Sequence, residues 1–441
     1  MSDYIYMLES HLSPDQNRAV EDVQAAAGMA NVNVFLTGGA MRDMIAGFRI
    51  RDLDFVVEGN ALKVAKAICE KTGATTTSTD DNRKTAEIVF PSGVTAQIGM
   101  SRQEKYARAG AKPQVTPATI QEDLRGRDFT ANAIALSLNR ASRGLLLDPM
   151  NGLADIERKE LRAVTTYGFY DDPTRLLRLV RFKVRFGFTI EERTQMQVAN
   201  AREAEVEKRI PARALGEELK RISAEDNPTD ILKGLEEAGL LALFSSALFA
   251  KLNVAGLAKL EKAYHVLPDD ARWRAARFGP FMHAVTENFT PKEKQALIKS
   301  TELPKSDVDC WQKTEAKAKK LETALRAPKI RKPSHVFHIV AAASPEDVLF
   351  VLYHSALKPV QERLRNHFQK YLPMVQEITP EEWATIEGKP GTPKYAKARE
   401  DFISERVNRK PPKPVEEVPP TEPPVPEPVM GGGRGRPPRQ I

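Results

Sequence analysis

Asp52 and Asp54 flank Leu53 in a strand-like run that ends at Val57, and upstream Gly38-Gly39 closes a β-branched, apolar run that begins at Val34. A strand repeats every two residues, so the two carboxylates point to one face and repel unless positive charge lies between them. Hard oxygen donors in that arrangement suit Mg²⁺. Paired glycines let backbone N–H groups come close to a phosphate, and Arg42 and Asp43 follow on a helix-like turn. Each feature alone is common, since Asp-x-Asp pairs mostly lie on solvated strand ends and Gly-Gly is usually a turn. In this order they read as a nucleoside triphosphate site, with backbone amides on the phosphates and metal ions at the reacting one.

Polymerising a nucleotide requires a 3′-hydroxyl to attack the α-phosphorus while pyrophosphate leaves, and two metal ions bridged by carboxylates serve both oxygens. No histidine lies between His11 and His265, which argues against a His-based hydrolytic mechanism. Cytosine and adenine both present an amino donor beside a ring-nitrogen acceptor, whereas uracil and guanine present the opposite polarity. One carboxylate and one arginine therefore suffice to select C and A without a template. Asp172 and Arg175 stand three apart at a helix start, behind Asp171, and are one option for that pair. Arg175, Arg178, Arg181 and Arg185 then recur at helical spacing as a basic stripe; such a stripe is most often a solvated face, but beside a nucleotide site it is a candidate for binding base, triphosphate and RNA. Upstream, Arg127, Asp128 and Asn132 fall in a stretch that reads as a helix opened by Glu122. That would put Asp128 and Asn132 on one helical face, where capping and a surface salt bridge are the simplest roles.

These residues need elements to position them. Residues 1–30 read as a helix, with Ser13-Pro14 as cap and first turn. Residues 60–72 repeat apolar positions at helical spacing and stop at Gly73; strands joined by a turn at Pro91-Ser92-Gly93 span about 84–100. The polar stretch 101–120 reads as a mobile loop beside the site. Asp148 to Asp155 is turn-rich and joins a first, α/β domain to a second part in which strand signals nearly vanish. Residues 171–300 alternate helical patterns with short breaks, 313–332 is strongly basic, and helical patterns continue to about 373 and again to about 408. From Pro411 the Pro-, Glu- and then Gly/Arg-rich composition buries no core and is expected to be disordered. Its Arg434-Gly-Arg-Pro437 resembles an AT-hook core, but a basic or solubilising tail is the simpler reading, and DNA is not expected as a partner.

With 441 residues the chain has room for two to four domains. A net charge of +7 and a pI near 9.1 are compatible with a polyanionic partner without demanding one. Cys69 and Cys310 are the only cysteines and stand far apart, which supports neither a disulfide framework nor a zinc cluster and suggests a reducing cytoplasm. No apolar run approaches 18 residues, and the N-terminus lacks a signal-peptide pattern, so neither membrane insertion nor secretion is expected.

The order Gly-Gly-x-x-Arg-Asp, then Asp-x-Asp, resembles the class II tRNA nucleotidyltransferase and poly(A) polymerase family of the polymerase β superfamily. The resemblance covers about 35–240 through its motifs, with weaker similarity to the body and tail over 330–408. It implies an α+β nucleotidyltransferase head (1–147), an all-α neck (148–245), a helical RNA-binding body and tail (246–410) and a disordered end (411–441). By the same resemblance Asp52 and Asp54 are the catalytic, metal-binding carboxylates, with Mg²⁺ as cofactor. Gly38, Gly39, Arg42 and Asp43 match the first nucleotide-binding motif. Arg127, Asp128 and Asn132 match one linked to ribose and triphosphate. Asp171, Asp172 and Arg175 match the base-recognising Glu-Asp-x-x-Arg, with Asp in place of the first Glu, and Arg178 and Arg181 match the arginines that follow. Asp148-Pro-x-x-Gly-x-x-Asp155 resembles the family's flexible connector. Two departures stand out: Gly126 replaces the first arginine of a pair, and Gln97 stands where relatives often carry an acid near the metal, with Glu87 on the neighbouring strand as a possible substitute. The implied activity is extension of tRNA 3′ ends with C and A from CTP and ATP, in the cytoplasm. A-adding, CC-adding and poly(A)-synthesising relatives share every one of these motifs, and a relative that binds RNA without catalysis is the alternative of another class.

Overall fold

The computed structural model describes residues 4–409. The expected disordered stretch, and the Arg434–Pro437 motif within it, lie outside the described residues. Contacts divide the chain after Ile378.

Nine strands precede Gly152, and seven of them form one mixed sheet: β1 (Asn33–Thr37), β2 (Leu53–Glu58), β3 (Thr75–Asp80), β4 (Thr85–Val89), β5 (Thr95–Met100), β8 (Ala135–Ser137) and β9 (Leu146–Leu147), in the order β3-β4-β5-β2-β1-β8-β9. Only the β2–β5 pair is parallel. β1 and β2 are apolar almost without interruption because both faces of the sheet centre are covered. Alternation sends Leu36 and Phe55 into the main core and Phe35 and Val56 into a second, smaller core with Ile120, Leu124, Ala133 and Ala135.

Where one helix was expected over 1–30, Ser13 starts a new one. It caps α2 (Pro14–Met29) through a reciprocal box with Gln16, separating it from α1 (Tyr4–His11). α3 (Gly38–Ile45) follows β1 directly, and α4 (Ala61–Thr72) ends at left-handed Gly73 as expected. Within the stretch 101–120, expected to be a mobile loop, β6 (Arg102–Lys105) and β7 (Gln114–Pro117) pair as an antiparallel ribbon. The polar Glu104 at its centre has partners that the sequence pattern hides. The helix opened near Glu122 is also shorter than expected, since α5 (Ile120–Arg125), capped by Thr119 and Glu122, stops at Gly126. Asp128 lies beyond it, and Thr130–Asn132 form one 3₁₀ turn.

From α6 (Gly152–Arg158) on, through α7 (Gly168–Asp171), α8 (Thr174–Phe186), α9 (Glu192–Glu203), α10 (Ala212–Ala224) and onward, the regular elements of the described residues are helical, apart from the two-residue strands Glu160–Leu161 and Thr189–Ile190. This is the α+β head with helical continuation read from the sequence. From Thr379 on, the helices Pro380–Ala384 and Pro393–Asn408 hold each other through Trp383 and Phe402, whose ring centroids lie 5.9 Å apart, and through Arg406 and Glu382 at 3.3 Å. Among the described residues no helix is long and apolar enough to cross a membrane.

Candidate active site

Asp54 lies on β2 and Asp52 one residue before it, so the pair straddles the strand's start. Asp52 is exposed and accepts a hydrogen bond from the Thr95 hydroxyl at 2.6 Å, whereas Asp54 is partly buried. The N–H of Gly39, in the first turn of α3, donates to Asp54 Oδ2 at 3.1 Å. Side chains at Gly38 or Gly39 would meet that oxygen at 3.2 or 3.1 Å, so the paired glycines let the acidic strand approach the positive end of the helix dipole. Burial first, and then the Asp52 charge, push the Asp54 carboxyl up to about 6 against the Gly39 N–H, Arg127 and Arg42. Two carboxylates in this condition favour a bound cation.

Gln97 is the register partner of Asp54 in the parallel pair, and Glu87 is the partner of Gln97 in the next. Glu87 therefore sits two strand spacings from Asp54, roughly 10 Å. Its carboxylate accepts from Ser78 at 2.9 Å, so it does not replace the missing acid. Among the described residues no three acid, histidine or cysteine side chains form a metal cluster. The Asp52–Asp54 pair would thus leave most of a cation's positions to other oxygens.

Arg42 and Asp43 are buried and bonded to each other, Nε to Oδ1 at 2.9 Å. The Arg42 guanidinium lies 4.4 Å over the Phe186 ring and donates to Asn132 Oδ1 at 2.6 Å. Asn132 in turn donates to Asp128 at 2.9 Å. The structure therefore does join Asp128 to Asn132, but through a turn in which Asp128 also accepts the Phe129 N–H at 2.8 Å, not on one face of a helix. Burial pushes the Asp128 carboxyl up; Arg178, Asn132, Arg175 and the Phe129 N–H outweigh it and hold the group below the usual carboxylate range. Arg127 bonds buried Asp123 through Nε at 2.9 Å and lies near enough to Asp54 to lower it.

Asp172 accepts from the Thr174 N–H at 3.1 Å, from the Thr174 hydroxyl and from Arg178. Arg178 also reaches Asp128 Oδ2 at 2.9 Å, so one guanidinium joins the two motifs. Asp171, half-buried, has its carboxyl raised by burial. Arg181 is not on a solvated stripe. It is buried, 2.6 Å from Glu218 and 3.2 Å from Glu225, and Arg185 bonds Asp43 at 2.8 Å. Arg181 thus joins α8 to α10, while Arg185, and Arg51 on Glu225 at 2.8 Å and Asp226 at 2.6 Å, fasten the head to them. The sequence does not mark Glu218 and Glu225 as buried partners, because acids on amphipathic helices ordinarily face water.

The Asp148–Asp155 connector, which by its resemblance would be flexible, is hydrogen-bonded at both ends in this structure. Asp148 caps α6 through the Gly152 and Leu153 N–H groups at 2.7 and 3.0 Å, and Asp155 accepts from the Thr130 hydroxyl at 2.7 Å. Gly152 is required there, since a Cβ would stand 2.2 Å from the Thr130 carbonyl oxygen.

A mixed sheet with an acidic strand against a glycine-led helix, continued by helices that bring arginines to the same face, defines a nucleotidyltransferase-type head on a helical body. More particularly, residues 34–162 match the Poly A polymerase head domain, and the resemblance to the tRNA nucleotidyltransferase and poly(A) polymerase family holds. An A-adding tRNA nucleotidyltransferase of Geobacter sulfurreducens is 25% identical over 432 residues, covering 92% of this chain and 47% of its own length. A CC-adding tRNA nucleotidyltransferase of Deinococcus radiodurans is 34% identical over 176 residues, covering 40% of this chain and 46% of its own. The chain thus spans about half the length of these two relatives. A solved CCA-adding enzyme, apo form II, shares the fold with a TM-score of 0.52 at 24% identity, over 93% of this chain and 96% of that one.

Proposed function

We propose that this protein is a template-independent tRNA nucleotidyltransferase that adds C and A to 3′ ends from CTP and ATP in the cytoplasm. The carrying observation is the Asp52–Asp54 pair at the start of β2, with Asp54 Oδ2 set against the amide of Gly39. Asp52 and Asp54 would hold divalent cations such as Mg²⁺, which when bound lower the pKa of the attacking 3′-hydroxyl and offset charge on departing pyrophosphate. The first-turn amides of α3 and the Arg127 guanidinium orient the triphosphate. Asp172 accepts the amino group of cytosine or adenine and Arg175 donates to the neighbouring ring nitrogen, so that uracil and guanine meet like polarity. Asp128 and Asn132 hold the ribose side, while Arg42, Asp43, Arg178 and Arg181 keep these groups in register. Residues 1–147 act as head, 148–245 as neck and 246–410 as the RNA-gripping body and tail, where Lys313, Lys317, Lys319, Lys320, Lys329, Arg331 and Lys332 are exposed. Replacing Asp54 with Ala is expected to abolish nucleotide incorporation while tRNA binding persists; incorporation that survives contradicts the reading.

A second reading, addition of the terminal A alone, is favoured by the A-adding relative that matches 92% of this chain. Which truncated tRNA is extended separates the two.

A further inference from the structure

Arg175 donates its hydrogen bonds to backbone carbonyls, not to a carboxylate. Its Nη1 donates to the Arg127 carbonyl and Nη2 to the Gly126 carbonyl, each at 3.1 Å. Arg175 is 9% exposed, and its Nε–H has no hydrogen-bond partner in the fold, facing Asp172 Oδ2 across an ion pair of 4.0 Å. A guanidinium is planar with donors in a fixed fork, so two carbonyls on the fork set the direction of the remaining Nε–H. The replacement of arginine by Gly126 leaves this grip intact, because the carbonyl does the holding.

The opposite wall is Gly168, the first residue of α7 and buried. A Cβ there would stand 2.7 Å from Arg175 Nη1, 2.9 Å from Thr165 Oγ1 and 3.6 Å from Arg175 Cζ. Gly168 has no need of glycine's backbone freedom; the space beside its Cα is what the guanidinium uses. An unpaired, buried donor is costly unless something meets it, and beside Asp172 that partner would be the acceptor nitrogen of a base.

We infer that Gly168, with the carbonyls of Gly126 and Arg127, is a positioning residue that aims the Nε–H of Arg175 at the incoming base and so sets selection of C and A over U and G. This rests on the base-reading role proposed above for Asp172 and Arg175. The test uses the full chain with CTP, ATP, GTP and UTP on tRNA transcripts, comparing wild type, Gly168→Ala, Arg175→Lys and the double variant.

Gly168→Ala is expected to raise KM for the accepted nucleotide and to lower discrimination against GTP and UTP, each by roughly tenfold to a hundredfold, with kcat changed less. Both effects should vanish in the Arg175→Lys background, where the displaced fork is absent. A Gly168→Ala variant of unchanged selectivity, or one that loses the same factor in both backgrounds, overturns the inference. If Gly168→Ala alone does not fold, Arg175→Lys and the double variant carry the comparison: equal selectivities support the inference, while a further loss or a double variant that still fails to fold overturns it. Loss of discrimination in Arg175→Lys but not in Gly168→Ala refutes the positioning role alone, whereas a wild type that incorporates no nucleotide removes the base-reading role with it.

Discussion

At the scale of single residues, ionised Asp54 opposes folding when no cation is bound. Its folded-state pKa of about 6 lies above the ordinary carboxylate value, so the penalty is absent below about pH 4, grows between 4 and 6, and is complete above 6. Asp54→Asn is therefore expected to raise stability by roughly 1 to 3 kcal/mol at pH 7.5 in chelator, an advantage that disappears near pH 4. Denaturant melts at the two pH values measure it; a variant less stable than wild type at pH 7.5 would refute the repulsion. Arg181→Met should instead cost about 3 to 5 kcal/mol, because Glu218 and Glu225 are left buried beside an uncharged side chain. A loss below about 1 kcal/mol in the same melts would place those acids in water. Asp52, Asp54 and the glycine pair were legible from spacing alone, as a two-residue period and a lack of Cβ are local properties. The burial of Arg181 and the partial burial of Arg185 were not, since their partners Glu218, Glu225 and Asp43 are remote in sequence.

At the scale of elements, local signals succeeded where a cap or periodicity determines the outcome and failed where a partner does. The Gly73 stop of α4 was readable; β3 was not, because its Thr-Thr-Thr-Ser-Thr-Asp run is an exposed edge with no apolar alternation. The β6–β7 ribbon was hidden for a related reason: Glu104 at its centre owes its place to Arg83 and Arg102, at 2.9 and 2.8 Å. In the helical part, the π-helical turn His367–Tyr371 buries an imidazole between Phe337 and Phe368, with Nδ1 unpartnered. Burial lowers His367 to about 4, so the unfolded chain takes up a proton that the folded one refuses. Its contribution is intact above about pH 6.5 and is lost as pH falls towards 4, by up to about 1.4 kcal/mol per pH unit. His367→Phe should flatten the stability profile over that range; an unchanged slope would show that the ring is protonated in the fold.

At the scale of the whole molecule, the division into a sheet-based head and a helical remainder followed from where strand signals stop. The fastening between them did not, because Asp148, Thr130, Gly152 and Asp155 act through hydrogen bonds and close approaches that spacing alone cannot display. The helix Lys305–Arg326 turns Trp311, Ala318 and Leu321 inward and leaves Lys319 and Lys320 exposed. If this face tracks an RNA backbone, replacing both lysines by alanine weakens tRNA binding at every sequence and lowers the slope of log affinity against log salt by about one for each phosphate no longer neutralised. An unchanged slope would put the RNA elsewhere.

The most direct measurement supplies the purified protein and Mg²⁺ with three tRNA transcripts, lacking CCA, CA or only the final A, and with each labelled nucleotide in turn. Addition of C, C and A that then stops is the expected result. Extension of only the last transcript by A would move the assignment to terminal A addition, and incorporation of no nucleotide on any transcript would contradict the catalytic role given to Asp52 and Asp54.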